Sequence, residues 1–280
     1  MNHYGYIKDF QTRDNYVLGG LSKVPKVVLM PDGHGWGDYL PEREYQNING
    51  VETYNCTSFG TTSAIEMIMK KKFGLNVNYS DRASGINAGT YPPGNSPHKV
   101  AETIRSKGLL YETFLSFKDI HNVDEYYTPC PLPDVLKQKC LLWTDRYVFY
   151  HEWVLPKDIK EALKYSPLCI AVGLTYEHEG IFYKSKGQMD THWLVLYDFD
   201  DVRKVWLLFD SYDLTQKLYT YDAEITDIKR YYIEEKTPQE QLKNAQLNFL
   251  QIILQYVKNL LAKTYRVGGE IISGIFSPRN

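Results

Sequence analysis

The sequence predicts an α+β fold, with helices concentrated in the first half of the domain and strands in the second. Helical patterns cover 55–74 and 96–108, each with a polar residue at its start and a glycine at its end. Apolar runs typical of strands cover 166–174, 192–197 and 205–209, and shorter ones follow. With 280 residues, 43% of them hydrophobic, the chain can bury a large core in one domain or in two lobes.

The first helix carries a cysteine in its first turn. Asn55 stands at the N-cap position, Cys56 follows it, and Gly74 is a natural end for the helix. The positive end of the helix dipole favours thiolate over thiol, and the N–H groups there point to where an oxyanion can bind. These features make Cys56 a candidate nucleophile. A buried structural cysteine is the alternative.

Two polar residues lie far downstream at strand ends. His192 opens a predicted strand, and Asp210 directly follows the next one. A thiolate and an imidazolium, with the imidazolium oriented by a third polar group, form the general arrangement of activated-cysteine catalysis. We therefore expect Cys56, His192 and Asp210 to converge.

Three segments resemble the papain-like cysteine peptidases. The pattern Cys-x-x-Phe-x-x-x-x-x-Ile-Glu from Cys56 is similar to the nucleophile helix of that family, and His192 follows Cys56 by 136 residues. The stretches 180–183 and 190–192 resemble the approach to the catalytic histidine. Phe-Asp-Ser-Tyr at 209–212 stands where the family carries Asn-Ser-Trp, so the third member here is an aspartate.

This resemblance implies a papain-like fold of two lobes, a helical one with the nucleophile helix and an antiparallel β one with His192 and Asp210. It implies a cysteine peptidase that hydrolyses peptide bonds through an acyl-enzyme. Gln46 would be the oxyanion glutamine, although the family position, six residues before the nucleophile, is Gly50, so the connecting loop needs an insertion. Gly94 would bind the substrate backbone. The alternative for Gln46 is an ordinary surface amide, and the alternative for Gly94 is a turn glycine.

The chain divides into three predicted parts: an N-terminal leader over 1–45, the papain-like domain over 46–236, and a C-terminal amphipathic helix with a tail over 237–280. Leucines and a valine recur at heptad-like spacing in the last part, at Leu247, Leu250, Leu254, Val257 and Leu261. This face can pack on its own domain, dock on a partner or a second copy through 245–265, or lie on a membrane surface, the least favoured of the three.

Composition excludes several other classes of function. A net charge of −2 leaves no nucleic-acid footprint. The four cysteines have no close paired spacing, so we expect no disulfide scaffold, metal or cofactor. The first residues contain no basic-then-apolar signal segment, which predicts cytoplasmic synthesis.

Two other functions remain open at this stage. The leader with Tyr4-Gly5-Tyr6 and the apolar helical tail resemble short papain-like proteins encoded by bacteriophages, some of which are parts of the virus particle. A structural or binding protein with little turnover is therefore one alternative to the peptidase. A cell-wall peptide amidase is the other, because the arrangement of the site does not fix the substrate.

Overall fold

The computed structural model describes residues 5–9, 17–18, 24–117, 119–212 and 216–244, together with 246–247, 250, 253–254 and 257–258. Contacts divide the chain into two compact units, Met1–Glu234 and Glu235–Asn280. The predicted boundaries after residues 45 and 236 stay predictions.

The larger unit contains six α-helices among its described residues, and the longest begins at the candidate nucleophile. They are α1 (Cys56–Phe73), α2 (Asp81–Ala88), α3 (Pro97–Lys107), α4 (Val123–Tyr126), α5 (Asp134–Arg146) and α6 (Ile159–Leu163). Short 3-10 turns occupy Trp36–Tyr39, Glu112–Phe114 and Pro156–Asp158.

The strands form one large sheet and two small ribbons. They are β1 (Gly5–Tyr6), β2 (Asn47–Ile48), β3 (Val51–Glu52), β4 (Gly94–Asn95), β5 (Tyr147–Trp153), β6 (Leu168–Val172), β7 (Tyr176–His178), β8 (Ile181–Tyr183), β9 (His192–Asp200), β10 (Val205–Phe209), β11 (Lys217–Thr220) and β12 (Ile228–Glu235). The eight-stranded sheet has the order β5-β12-β6-β9-β10-β11-β8-β7, and β1 pairs with β4 and β2 with β3. The β6–β9, β9–β10 and β10–β11 pairs are antiparallel, whereas β11 and β8 are parallel.

Helix α1 packs against the central strand β9 and is almost completely buried. Thirteen of its eighteen residues are buried, so it lies inside the core, whereas the spacing of Phe59, Ile65 and Phe73 in the sequence predicts a single apolar stripe. It begins and ends where the sequence predicted, and Gly74 ends it with a positive φ of 68°. Asn55 occupies the N-cap position without a capping hydrogen bond. Its amide instead donates to the Asp81 carbonyl and the Tyr126 hydroxyl, which ties the start of α1 to α2 and α4.

In the stretch from Asn76 to Asn95, Gly85 and the glycines and prolines after it predict an irregular segment, but the structure contains α2 there. The Ser80 hydroxyl caps this helix by accepting from the Ala83 N–H, and Gly89 ends it with a φ of 66°. Gly85 lies in the middle because a Cβ there would overlap the Asn55 side chain. The glycine that suggested a turn is therefore a packing glycine between two helices.

The smaller unit contains a helix at 238–244 and at the later described positions up to 258. Its apolar side chains at Leu247, Leu250, Leu254 and Val257 are exposed. Leu261, the last member of the predicted face, lies outside the described residues, as does the rest of the tail. Across the described part of the chain, the helices are too short or too polar to span a bilayer.

Candidate functional site

The sheet brings His192 and Asp210 together at one end of two antiparallel neighbours. His192 is the first residue of β9, and Asp210 follows the last residue of β10. The register shifts between Leu207 and Leu208, which pair with Asp198 and Leu196 respectively. This bulge on β9 carries the end of β10 one residue further toward His192 than a regular ladder would, a common use of bulges next to functional sites.

Asp210 forms a buried pair with the histidine ring. Its Oδ1 lies 2.6 Å from His192 Nε2 and also accepts from the Tyr212 backbone N–H at 3.1 Å. Its Oδ2 accepts from the ammonium of Lys217. Burial alone would raise the pKa of Asp210, but His192 and Lys217 outweigh it and lower the pKa to about 2. The carboxylate is therefore charged throughout the physiological range and fixes the ring through Nε2.

Cys56 lies at the start of α1, directly beside the strand that begins with His192. The backbone of Trp193, the residue after His192, lies close enough to the sulfur to favour its thiolate form. The side chain is fully buried. Burial raises the pKa of the thiol well above its ordinary value, and the carboxylates of Glu52 and Asp210 raise it further. This differs from the sequence expectation: in this covered site desolvation outweighs the helix N-terminus, which favours thiolate.

Gln46 is buried and is held against the Asp210 loop. Its backbone N–H donates to the Ser211 carbonyl at 3.0 Å, and the Ser211 hydroxyl donates to its Oε1 at 2.8 Å. The extra residues between Gln46 and Cys56 form the β2–β3 hairpin. Asn49 and Gly50 make its turn with φ values of 53° and 78°, the positive pair that a two-residue hairpin requires. The insertion is thus a local ribbon that leaves Gln46 beside the site.

The hairpin also brings in Glu52, a residue that the sequence analysis missed. Its Oε1 accepts from Gln46 Nε2 at 3.0 Å and from the Tyr54 N–H at 2.7 Å. Burial raises the pKa of Glu52, while its two donors and the charge of His192 lower it in part. The Asn-Gly pair predicts such a hairpin from sequence, but no local signal indicates that its last residue reaches the site.

Gly94, the predicted backbone-binding residue, is paired with a segment of the chain itself. Gly5 and Tyr6 of β1 run parallel to Gly94 and Asn95, and the Ile7 N–H donates to the Asn95 carbonyl at 2.9 Å. A Cβ on Gly94 would overlap the Gly5 carbonyl, and both glycines have positive φ angles, 137° and 105°. Only two glycines allow so close an approach.

Tyr6 anchors this segment next to the cysteine. It is buried, its ring stacks on Trp193 with centroids 5.9 Å apart, and its hydroxyl donates to Asp227. A Cβ on Gly5 would overlap the carbonyl of Tyr54, two residues before Cys56. Tyr6 and Cys56 belong to the same buried cluster. Gly5 and Tyr6 of the leader therefore lie against the residues just before α1 and against β9.

The fold is that of the papain-like cysteine proteases, as solved structures show. Xylellain, a cysteine protease from Xylella fastidiosa, matches with a TM-score of 0.60 at 13% identity, over 84% of this chain and 97% of its own. The bromelain protease from Ananas comosus, in complex with the E64 inhibitor, matches with 0.55 at 18% identity, over 75% and 100%. Digestive procathepsin L2 from Tenebrio molitor larval midgut gives 0.57 at 12%, over 84% and 78%.

Protein-family models and curated protein sequences give no match to this chain. At 12–18% identity the structural likeness establishes the architecture alone. The predicted α+β, papain-like fold is therefore confirmed, while the roles of Cys56, His192, Asp210, Gln46 and Gly94 stay predictions.

Proposed function

We propose that this protein is a cysteine peptidase that hydrolyses peptide bonds with Cys56 as nucleophile. The observation that carries the proposal is the buried pair of His192 Nε2 and Asp210 Oδ1, 2.6 Å apart. His192 begins the strand whose next residue, Trp193, lies beside the Cys56 sulfur. A histidine held at one ring nitrogen by a carboxylate presents the other nitrogen in a fixed direction. The papain-like fold supports the same reading.

In the proposed reaction, the Cys56 thiolate attacks the carbonyl carbon and forms a tetrahedral oxyanion. The His192 imidazolium then gives its Nδ1 proton to the leaving amine as the C–N bond breaks, which leaves a thioester. Neutral His192 next removes a proton from water, the resulting hydroxide attacks the thioester, and the thiolate departs with the acid product released. Asp210 stays charged and holds the ring through both steps.

Gln46 and the Cys56 backbone N–H are the proposed oxyanion donors. The hydrogen bond from Ser211 to Gln46 Oε1 supports this role because it turns the NH₂ group away from the Asp210 loop. That group also donates to Glu52. We propose that it donates to the substrate oxyanion as well.

The test is cleavage profiling of a peptide library by mass spectrometry, with the full chain. Cleavage by the wild type that is lost in Cys56→Ala but kept in Cys130→Ala supports a cysteine peptidase, because Cys130 is an exposed cysteine. The His192→Gln variant is expected to lose cleavage as well. If neither the wild type nor Tyr6→Ala, in which the leader contact is weakened, cleaves the library, the result argues against turnover.

A scaffold with little or no turnover is the second candidate. It is favoured by the leader strand paired at Gly94 and by the complete burial of Cys56. A role as a bacteriophage particle component belongs to this alternative and rests on the sequence resemblance alone.

Amidase chemistry on cell-wall peptides needs the same three side chains. Incubation with peptidoglycan, followed by mass spectrometry of the released peptides, distinguishes the amidase from a peptidase of general specificity.

We propose further that the C-terminal helix docks on a partner or a second copy. Its support is the exposed apolar series Leu247, Leu250, Leu254 and Val257, which forms one face at helical spacing. Sedimentation of the full chain should show association that the double variant Leu250→Lys/Leu254→Lys abolishes. A control with Gln241→Lys, on the opposite side of the helix, should still associate.

A further inference from the structure

Lys217 completes a buried chain of three charged or chargeable groups. It is the first residue of β11 and lies opposite Leu208 of β10, two residues before Asp210. Its ammonium donates to Asp210 Oδ2, while Oδ1 faces His192 Nε2 at 2.6 Å. All three side chains are buried, with exposed fractions of 7% for Lys217, 0% for Asp210 and 4% for His192.

The charges in this chain decide what the aspartate can do. A buried carboxylate with no cation beside it is strongly disfavoured, so it would take a proton or draw one onto the histidine. A lysine at its second oxygen supplies a permanent compensating charge. The lysine and the aspartate together are then neutral, and the histidine needs no charge of its own to stabilise the carboxylate. Its protonation is left to depend on the thiol.

We propose that Lys217 is a positioning residue of this site, which holds and neutralises Asp210 so that the His192 imidazolium forms with the Cys56 thiolate rather than with the aspartate. This inference deepens the proposed peptidase function and rests on it. Lys217 contributes, after His192, to the lowered pKa of Asp210.

Other groups also face the sulfur. Glu52 of the hairpin and Asp210 both raise the pKa of the Cys56 thiol, and Tyr127 lies close enough to interact with it. At a pH where neither His192 nor Asp210 carries a compensating proton, removing the lysine charge makes the surroundings of the sulfur more negative. Thiolate formation should then move to higher pH, whereas removing the aspartate charge should move it to lower pH.

The experiment measures thiolate formation in the full chain by its ultraviolet absorbance as a function of pH. Each variant is compared with its own Cys56→Ala counterpart, so that only this sulfur is counted. Lys217→Met is expected to raise the midpoint by roughly one pH unit, and Asp210→Asn to lower it by a similar amount. The double variant Lys217→Met/Asp210→Asn should return to within about half a unit of the wild type, because it again carries no net charge.

A purely structural lysine would not produce shifts of opposite sign that cancel in the double variant. An unchanged midpoint in Lys217→Met, or a double variant that behaves like Lys217→Met alone, overturns the proposal. If Lys217→Met does not fold, Lys217→Arg and Asp210→Asn decide it: the first should keep the wild-type midpoint and the second should lower it. An unchanged midpoint in Asp210→Asn then overturns the proposal.

This readout needs no substrate, so it separates the two proposals. Shifts as expected in a protein that cleaves no peptide would leave standing the effect of the Lys217 charge on the Cys56 thiol and remove the peptidase function. Peptide cleavage without these shifts would leave the peptidase function standing and remove the proposed role of Lys217.

Discussion

Tyr6 is the residue through which the leader is expected to control access to Cys56. In Tyr6→Ala the segment loses a buried ring stacked on Trp193 and the hydrogen bond to Asp227. Removing a buried aromatic ring costs about 3–5 kcal/mol in a protein core. We take the lower end, about 3 kcal/mol, because the Ile7 and Gly94 contacts remain. At about 1.4 kcal/mol per factor of ten, the uncovered state becomes roughly a hundred times more populated.

The assay is alkylation of the native full chain with iodoacetamide, followed by digestion and mass spectrometry of each cysteine peptide. Cys56 should react about a hundredfold faster in Tyr6→Ala than in the wild type, provided that uncovering limits the rate. Tyr6→Phe keeps the ring and loses only the hydrogen bond, so about a tenfold increase is expected. Cys169 is the internal control, because it is equally buried but lies in the core strand β6.

The two cysteines together separate leader release from general loosening. If the reaction rates of Cys56 and Cys169 rise by the same factor, the whole domain has been destabilised and the reasoning about the leader is wrong. It is also wrong if Tyr6→Ala leaves the rate at Cys56 unchanged.

Three further predictions concern catalysis and stability. Gln46→Ala should lower kcat about 10²–10³-fold for any peptide found to be cleaved, with Gln138→Ala, an exposed glutamine of α5, as the control. Burial, with a contribution from Glu44, raises the pKa of Glu112 from 4.5 to about 8. The buried carboxyl therefore destabilises the fold increasingly as pH rises through that window. Glu112→Gln should raise the free energy of unfolding at about pH 9 and not at about pH 4. Burial lowers the pKa of Lys229 from 10.5 to about 7, so the stability of the fold falls as pH drops through that window. In urea titrations, Lys229→Met should stabilise the fold at about pH 6 and not at about pH 11.

The parts of the fold that sequence predicted well are those determined by local patterns. The bounds of α1, the buried strand around Cys169, and the strands next to His192 and Asp210 each follow from caps, apolar runs or turn residues within a few positions. Each of these patterns lies within a few consecutive residues, so the backbone conformation it predicts does not depend on which residues pack against it. The positions of His192 and Asp210 at strand ends followed in the same way.

The features that sequence did not predict depend on partners far away in the chain. Glu52 reaches the site because its hairpin folds back, and Lys217 reaches it because β11 pairs beside β10. A lysine at the head of a strand ordinarily predicts an exposed end, but Lys217 is buried against the carboxylate of Asp210 and the ring of Phe182. The helix α2 was missed because Gly85 serves its packing against Asn55, which the sequence pattern does not distinguish from a turn.

Gly5 and Gly94 allow leader docking to be separated from substrate binding. A methyl group at either position would overlap backbone atoms, of Tyr54 in the first case and of Gly5 in the second, so both alanine variants should expel the leader strand. Both should therefore speed alkylation of Cys56. Gly5 is absent from the proposed substrate site, so Gly5→Ala should leave KM no higher than in the wild type. Gly94→Ala alters the residue proposed to bind the substrate backbone, so its KM should rise. Equal KM values in the two variants would show that Gly94 serves the leader and not the substrate.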